Sequence, residues 1–291
     1  MRCAVLGKNG QLGMALAEKA WPKGWQLDLL DRRECDLSDL DNIHSKLEAR
    51  NPNIIINAAA YTAVDKAENE PELADRINHR AVGILGSFAA KKNIPIIHFS
   101  TDYVFDGSMT RPYKEEDIPA PINIYGKSKL AGELALRTSG SAFTILRTSW
   151  VYYEKGINFV LKMLSLADRK ELSIVEDQYG APTYAGDLAQ ATRLVAEKVI
   201  AGNRGRDLFH LSAAGDTNWY GFAQKIFSEA ATYGLPIPGL NPIPSVAYPT
   251  PAPRPRNSRL DCGEIARTYN IVLPNWEDSL RKCVHKIYGG K

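Results

Sequence analysis

From its first residues the chain alternates short apolar runs with segments whose apolar residues recur at helical spacing. Residues 2–6, 25–30, 53–57, 95–100 and 143–148 read as strands. Residues 11–20, 40–50, 72–92 and 126–137 read as the helices between them. Strands that are apolar on both sides, each separated from the next by a helix, predict a parallel sheet covered on both faces. The expected fold class is therefore α/β, a doubly wound (Rossmann-type) parallel sheet, with ligands at the C-terminal ends of its strands.

Past residue 150 the pattern loosens. Helices are expected over 158–168, 187–199 and 219–231, followed by a Pro-rich stretch over 235–255. Proline neither donates to a ladder nor sits inside a helix, so this stretch is expected to be extended loop, packed over the substrate site rather than serving as an inert linker. The expected division is a dinucleotide-binding part over 1–150 and a smaller, irregular substrate-binding lobe over 151–291, with some elements of the second part returning to the first sheet. No internal repeat or low-complexity tail is visible.

Composition narrows the function classes. The 291 residues carry a net charge of +3, with 44% hydrophobic and 24% charged residues, as in an ordinary globular chain. Dispersed basic residues and a small net charge give no reason to expect a nucleic-acid or membrane partner. Cys3, Cys35, Cys262 and Cys283 lie far apart, which reads as reduced thiols of a cytoplasmic protein, not a disulfide frame or zinc site. The N-terminus runs straight into a strand with no signal-peptide pattern, and no uncharged run reaches bilayer length. The five histidines show no metal spacing.

Gly7, Gly10 and Gly13 follow the first strand and open the first helix, as GxxGxxG. Glycine is needed where the turn takes positive φ or where backbone approaches a pyrophosphate, and the free N–H groups of the helix start then face phosphate. Asp31 ends the second strand, where a carboxylate accepts from an adenosine ribose, whereas Arg32 and Arg33 favour a 2′-phosphate. NADPH and NADH both stay open. Asp36 and Leu37 lie where the chain would cover adenine, and Ala59, Ala60, Tyr61 and Thr62 follow the third strand where a nicotinamide would pass the backbone.

Tyr125 and Lys129 form YxxxK at the start of a helix, on one face one turn apart. A carbonyl that accepts hydride must gain a proton, and an adjacent ammonium is expected to bring the phenol from its usual value near 10 toward neutrality. The lysine can also hold ribose hydroxyls. Thr101, at the end of the fourth strand, is expected to reach the carbonyl oxygen. Trp150, after the fifth strand, is expected to wall the site. Arg254, Arg256 and Arg259 could meet a diphosphate or sit in a solvated loop. Residues 114–117 read as an exposed turn.

Together GxxGxxG, NAAAYT, STDYVFDG and YGKSK resemble the extended short-chain dehydrogenases. The longer blocks NAAAYTAVDKAENEPELA, RTSWVYYEKGINFV, DQYGAPTYAGDLA and AYPTPAPRPRNSRLDC are similar to the dTDP-4-dehydrorhamnose reductases, nearly end to end. That resemblance implies Tyr125 as general acid, Lys129 as its partner and Thr101 as third member. It implies a sugar-nucleotide site lined by Thr101, Asp102, Tyr125, Lys129 and Trp150. It implies a cofactor site lined by Gly10, Gln11, Leu12, Asp31, Asp36, Leu37, Ala59, Ala60, Tyr61 and Thr62. Some members join as magnesium-linked dimers through a glutamate in the first helix. Here that position is Ala15, whose methyl group cannot ligate magnesium, so no metal is expected and a homodimer is left open. Two alternatives share the fold: a nucleotide-sugar epimerase or 4,6-dehydratase, and a non-catalytic subunit resembling the regulatory subunit of methionine adenosyltransferase, on the segment EEDIPAPINIYGKSKL. Asp102-Tyr103 supplies one carboxylate where a dehydratase wants an acid-base pair.

Overall fold

The computed structural model describes residues 1–202 and 205–289. Its first half runs β1 (Arg2–Leu6), α1 (Gln11–Ala17), β2 (Gln26–Leu30), α2 (Ile43–Arg50), β3 (Ile54–Asn57), α3 (Val64–Ala67), α4 (Pro71–Asp75), α5 (Ala81–Lys92), β4 (Ile96–Thr101), α6 (Ile124–Thr138) and β5 (Phe143–Thr148). The remainder runs β6 (Val151–Tyr152), α7 (Phe159–Leu164), β7 (Glu171–Val175), β8 (Tyr179–Gly180), β9 (Thr183–Tyr184), α8 (Ala185–Ile200), β10 (Arg206–His210), β11 (Thr217–Asn218), α9 (Trp219–Ala231), β12 (Gly239–Ile243), α10 (Gly263–Tyr269) and α11 (Trp276–Tyr288).

Six strands form one parallel sheet in the order β10-β5-β4-β3-β1-β2. Alternate residues of each strand enter opposite cores, as the period of two requires. Cys3, Val5, Ile54, Ile56, Ile97 and Leu146 pack on one face beneath α1, α7, α8 and α9. Ala4, Leu6, Ile55, Ile96 and Ile145 pack on the other beneath α2, α5 and α6. The doubly wound parallel sheet expected from the apolar runs is therefore present. Beyond residue 150, β10 supplies the edge strand next to β5, and α8 packs on α1.

Three local departures have physical causes. The helix expected over 11–20 ends at Ala17, where Trp21 Nε1 donates to the carbonyl of Leu16 and caps the last turn. The helix expected over 72–92 is interrupted by a π segment, Arg76–Arg80, between α4 and α5. Its widened turn carries Asn78 against α6, where a Cβ on Gly132 would fall 2.0 Å from the Asn78 carbonyl oxygen. The Pro-rich stretch is not all loop, because β12 pairs in parallel with β7. That ladder has only two strands, so Pro242 can stand in it with no second neighbour awaiting its missing N–H.

Candidate active site

The glycine turn has a separate reason for each outer glycine. Gly7 takes φ +89°, and a Cβ there would lie 2.8 Å from the backbone N and Cα of Ala59. A Cβ on Gly13 would lie 2.1 Å from the carbonyl oxygen of Gly7. Only bare backbone at both positions lets the turn, the start of α1 and the end of β3 meet. The result is a shallow backbone cradle at the C-terminal ends of β1 and β3, of a shape suited to a pyrophosphate.

Around this cradle the expected residues divide. Asp31 accepts from the N–H groups of Arg33 at 2.8 Å and Glu34 at 3.2 Å, with Lys8 Nζ 3.5 Å away. Lys8 also donates to Glu34 at 2.8 Å. Neither Lys8 nor Glu34 was singled out by spacing, yet both stand at this corner. Arg32 is turned along its own loop to Asp36, at 3.0 Å. Leu12 and Leu37 bury their side chains in the two cores, so only their backbone can face a ligand. Gln11 spans to the second half of the chain, donating to the carbonyl of Val151 at 3.3 Å and accepting from Asn158 at 2.9 Å.

The segment after β3 is held by an asparagine that the sequence reading missed. Asn78 accepts from the N–H of Tyr61 at 2.8 Å, donates to its carbonyl at 3.0 Å, and donates to Ser128 Oγ at 3.0 Å. It therefore ties the backbone beside Ala59, Ala60 and Thr62 to helix α6. The Tyr61 hydroxyl donates to Glu70 at 2.5 Å.

Helix α6 begins where Asn123 accepts from the N–H of Gly126 at 2.7 Å. A Cβ on Gly126 would fall 2.1 Å from the carbonyl oxygen of Tyr103, so glycine after Tyr125 lets the helix lean on the turn that follows β4. This contact brings the Tyr125 phenol beside the Thr101 hydroxyl. Thr101 is buried, donates to Asp102 Oδ1 at 3.0 Å and accepts from the N–H of Tyr103 at 3.2 Å. The other oxygen of Asp102 is buried without a hydrogen-bond partner, as are the hydroxyls of Ser100 and Thr148. Buried polar atoms left unpaired at strand C-termini are what a polar ligand would satisfy.

Electrostatics departs from expectation at Tyr125. Burial pushes its phenol up to about 12, with the Thr101 hydrogen bond opposing and the Asp102 charge adding. The Lys129 ammonium is engaged on β4. The ammonium donates to the carbonyl of Phe99 at 2.6 Å and stands 3.3 Å from His98 Nε2. Burial lowers Lys129 to about 8, with Glu133 opposing. His98, fully buried, is held well below its usual value by burial and then by Lys129, and its Nδ1 meets Asn57 Nδ2 at 3.0 Å. Asp102 is raised to about 7 by burial, with Ser258 and Thr101 opposing.

Trp150 follows β5 at the same sheet end, with its ring stacked on Trp219. Of the three arginines, Arg254 pairs with Asp65 at 2.8 Å, and Arg259 donates to the Thr110 carbonyl at 2.6 Å and lies 3.4 Å from Asp216. Arg256 is exposed. Asn123 donates to the Pro253 carbonyl at 2.9 Å, so the Pro-rich segment is strapped against the start of α6. In the turn over 114–117, Glu115 is half-buried and accepts from the N–H of His210. A cavity of about 220 Å³ beside Ser212, Asp216, Arg259 and Cys262 touches none of Thr101, Tyr125 or Lys129. Ala15 is buried, and among the described residues no group of three His, Cys, Asp or Glu could hold a metal ion. Among them, too, no helix is long and apolar enough to cross a membrane.

Comparison with known proteins places the chain in a family. The chain matches the family described as RmlD substrate binding domain over residues 1–288. A dTDP-4-dehydrorhamnose reductase of Sinorhizobium fredii is 46% identical over 287 residues, 98% of this chain and 97% of that one. The crystal structure of dTDP-4-dehydrorhamnose reductase from Bacillus anthracis in complex with NADP is 34% identical, with a TM-score of 0.90 over 98% of this chain and 99% of that one. A Clostridium acetobutylicum ortholog superposes with a TM-score of 0.91, at 34% identity and 99% coverage of both chains. With a sheet, a glycine cradle and a Thr101–Tyr125–Lys129 corner in place, and likeness running end to end, the chain belongs to the dTDP-4-dehydrorhamnose reductase family.

Proposed function

We propose that this protein reduces the 4-keto group of dTDP-4-dehydro-L-rhamnose to give dTDP-L-rhamnose, with NADPH as reductant and NADH as the alternative the same cradle admits. The glycines at Gly7, Gly10 and Gly13, with the backbone of Gln11 and Leu12, would hold the pyrophosphate. Asp31, Arg32, Asp36 and Leu37 would meet the adenosine end, and Ala59, Ala60, Tyr61 and Thr62 the nicotinamide end. The bare-backbone cradle fits that group. The NADP complex of the Bacillus anthracis relative supports the phosphorylated cofactor.

Reduced nicotinamide, when bound, supplies the hydride that adds to the carbonyl carbon. Tyr125 supplies the proton to the carbonyl oxygen and regains one from solvent. A phenol pushed up to about 12 is fully protonated at neutral pH, the state a donor needs in the reducing direction. Thr101 steadies the same oxygen, Lys129 holds ribose hydroxyls beside the phenol, and Asp102 and Trp150 line the sugar. Four free cysteines suit a reducing compartment such as the cytoplasm.

The observation that carries this reading is the Thr101 hydroxyl beside the Tyr125 phenol at the end of β4. The test mixes protein with the keto-sugar and either reduced cofactor, and follows loss of nicotinamide absorbance. Stoichiometric oxidation of the cofactor is expected. Sugar conversion with absorbance unchanged would indicate an epimerase or dehydratase, and no conversion at all would refute an enzymatic role on this substrate.

A further inference from the structure

Trp150 is held in a way its own sequence position does not explain. It follows Thr148, whose register partner across the sheet is Thr101, so it emerges next to the reactive corner. Its φ is +46°, a left-handed value that bulky residues rarely adopt and that surrounding contacts must enforce. The contacts are visible. Trp219 lies on the indole with ring centroids 3.6 Å apart and planes 7° from parallel. A Cβ built on Gly180 would fall 2.6 Å from Trp150 Cε2 and 2.8 Å from both Cζ2 and Nε1. Near-equal distances to three adjacent ring atoms place Gly180 over the ring rather than beside its rim. Trp219 already fills one face, so Gly180 covers the other.

The two covering residues are themselves joined. Gly180 closes β8, Trp219 follows β11, and β8 pairs with β11 through Thr217↔Gly180 and Asn218↔Tyr179. Asn218 also caps α9, accepting from the N–H of Gly221 at 2.7 Å, which fixes Trp219 at the first turn of a helix. Phe159 backs Trp219 at 4.7 Å. With both faces covered, the indole can offer a ligand only its rim.

We propose that Gly180 and Trp219 are the two jaws of a clamp that fixes the Trp150 indole rim-on at the sugar end of the site, which makes Trp219 a positioning residue for the keto-sugar. The inference rests on the proposed reductase reading. A fixed rim discriminates by shape, because a deoxysugar that touches it loses contact if the ring rotates. It also divides binding in two, since the indole follows the strand paired with Thr101 and its jaws come from β8 and the end of β11, none of them part of the glycine turn.

The test compares wild type with Trp219→Leu, which fills space without stacking, and Trp219→Phe, which can still stack. Paired indoles at this spacing should give wild type an exciton couplet in circular dichroism that both variants lack. Trp219→Leu should raise KM for the keto-sugar roughly three- to tenfold, the range an aromatic pair supplies, with KM for NADPH unchanged. Trp219→Phe should restore most of the difference. If Trp219→Leu does not fold, Gly180→Ala reads the same split from the opposite face. A wild type without the couplet, an unchanged sugar KM in the stack-breaking variant, or parallel weakening of sugar and cofactor would each overturn the clamp. A wild type that shows the couplet but oxidises no NADPH with the keto-sugar would instead overturn the reductase reading.

Discussion

The Nζ of Lys129 donates to the carbonyl oxygen of Phe99 at 2.6 Å, from a side chain only 1% exposed. The charge is thus buried on the strand that ends in Thr101, and held by a backbone dipole, not by a carboxylate. Burial disfavours the ammonium and lowers its pKa from 10.5 to about 8. Because the depressed value belongs to a cation, charge is lost as pH rises through it.

The first prediction follows directly. If reduction needs the Lys129 ammonium, kcat/KM should fall on the alkaline side with an apparent pKa near 8, because kcat/KM reports the free enzyme. Tyr125, pushed up to about 12, would begin to ionise only far above that. A pH profile of NADPH oxidation separates the two. A plateau extending past pH 10 would remove the lysine from the rate.

Tyr125→Phe isolates the phenolic proton. The ring keeps its edge contact with Tyr103, whose centroid lies 6.0 Å away, so packing changes little. Turnover should drop by about 10²- to 10⁴-fold, the usual worth of a positioned acid. The thermal midpoint should stay close to wild type. A variant that turns over at the wild-type rate would mean that the proton comes from elsewhere.

How much of this was visible beforehand depends on whether a feature is local. The strands were legible because burial on both faces leaves continuous apolar runs, and Tyr125 with Lys129 was legible because helical spacing places them one turn apart. GxxGxxG was legible, but the reason for Gly7 was not, since it lies in Ala59, just past the end of another strand. His98 was hidden inside a run read as wholly apolar, and its partners Asn57 and Lys129 come from two other elements. Asn78 depends on a π turn that no residue pattern announced. Where the Lys129 ammonium is held was hidden for a similar reason. Spacing puts Tyr125 and Lys129 on one face, but a carbonyl on β4 decides where the ammonium points.

Asp102 gives a stability prediction with a definite sign. Burial raises its folded pKa from 3.8 to about 7, so between those values the folded state binds more protons than the unfolded chain. Its contribution is fully present below pH 3.8 and is lost as pH rises toward 7. Asp102→Asn removes the ionisation and should therefore stabilise the fold above pH 7 while changing little near pH 4. Urea unfolding at the two pH values measures the difference. An equal shift at both would show that the carboxyl does not titrate within this window.

Glu133 joins stability to the pH profile. Its carboxylate receives Arg147 Nε at 2.8 Å and Nη2 at 2.6 Å, in a pair whose side chains are at most 2% exposed. Glu133→Gln leaves the guanidinium buried without its counter-charge, which is destabilising by about 3–5 kcal/mol for pairs of this kind. The same carboxylate, though not bonded to it, favours the Lys129 ammonium against burial. Its loss should lower the lysine further and move the alkaline limb of kcat/KM below pH 8. The two effects are read separately, by urea unfolding and by the rate profile at a temperature where the variant stays folded. If the variant is destabilised but its alkaline limb stays at the wild-type pH, then Glu133 holds Arg147 in the core without tuning Lys129. The burial of Lys129 alone would then set where activity ends.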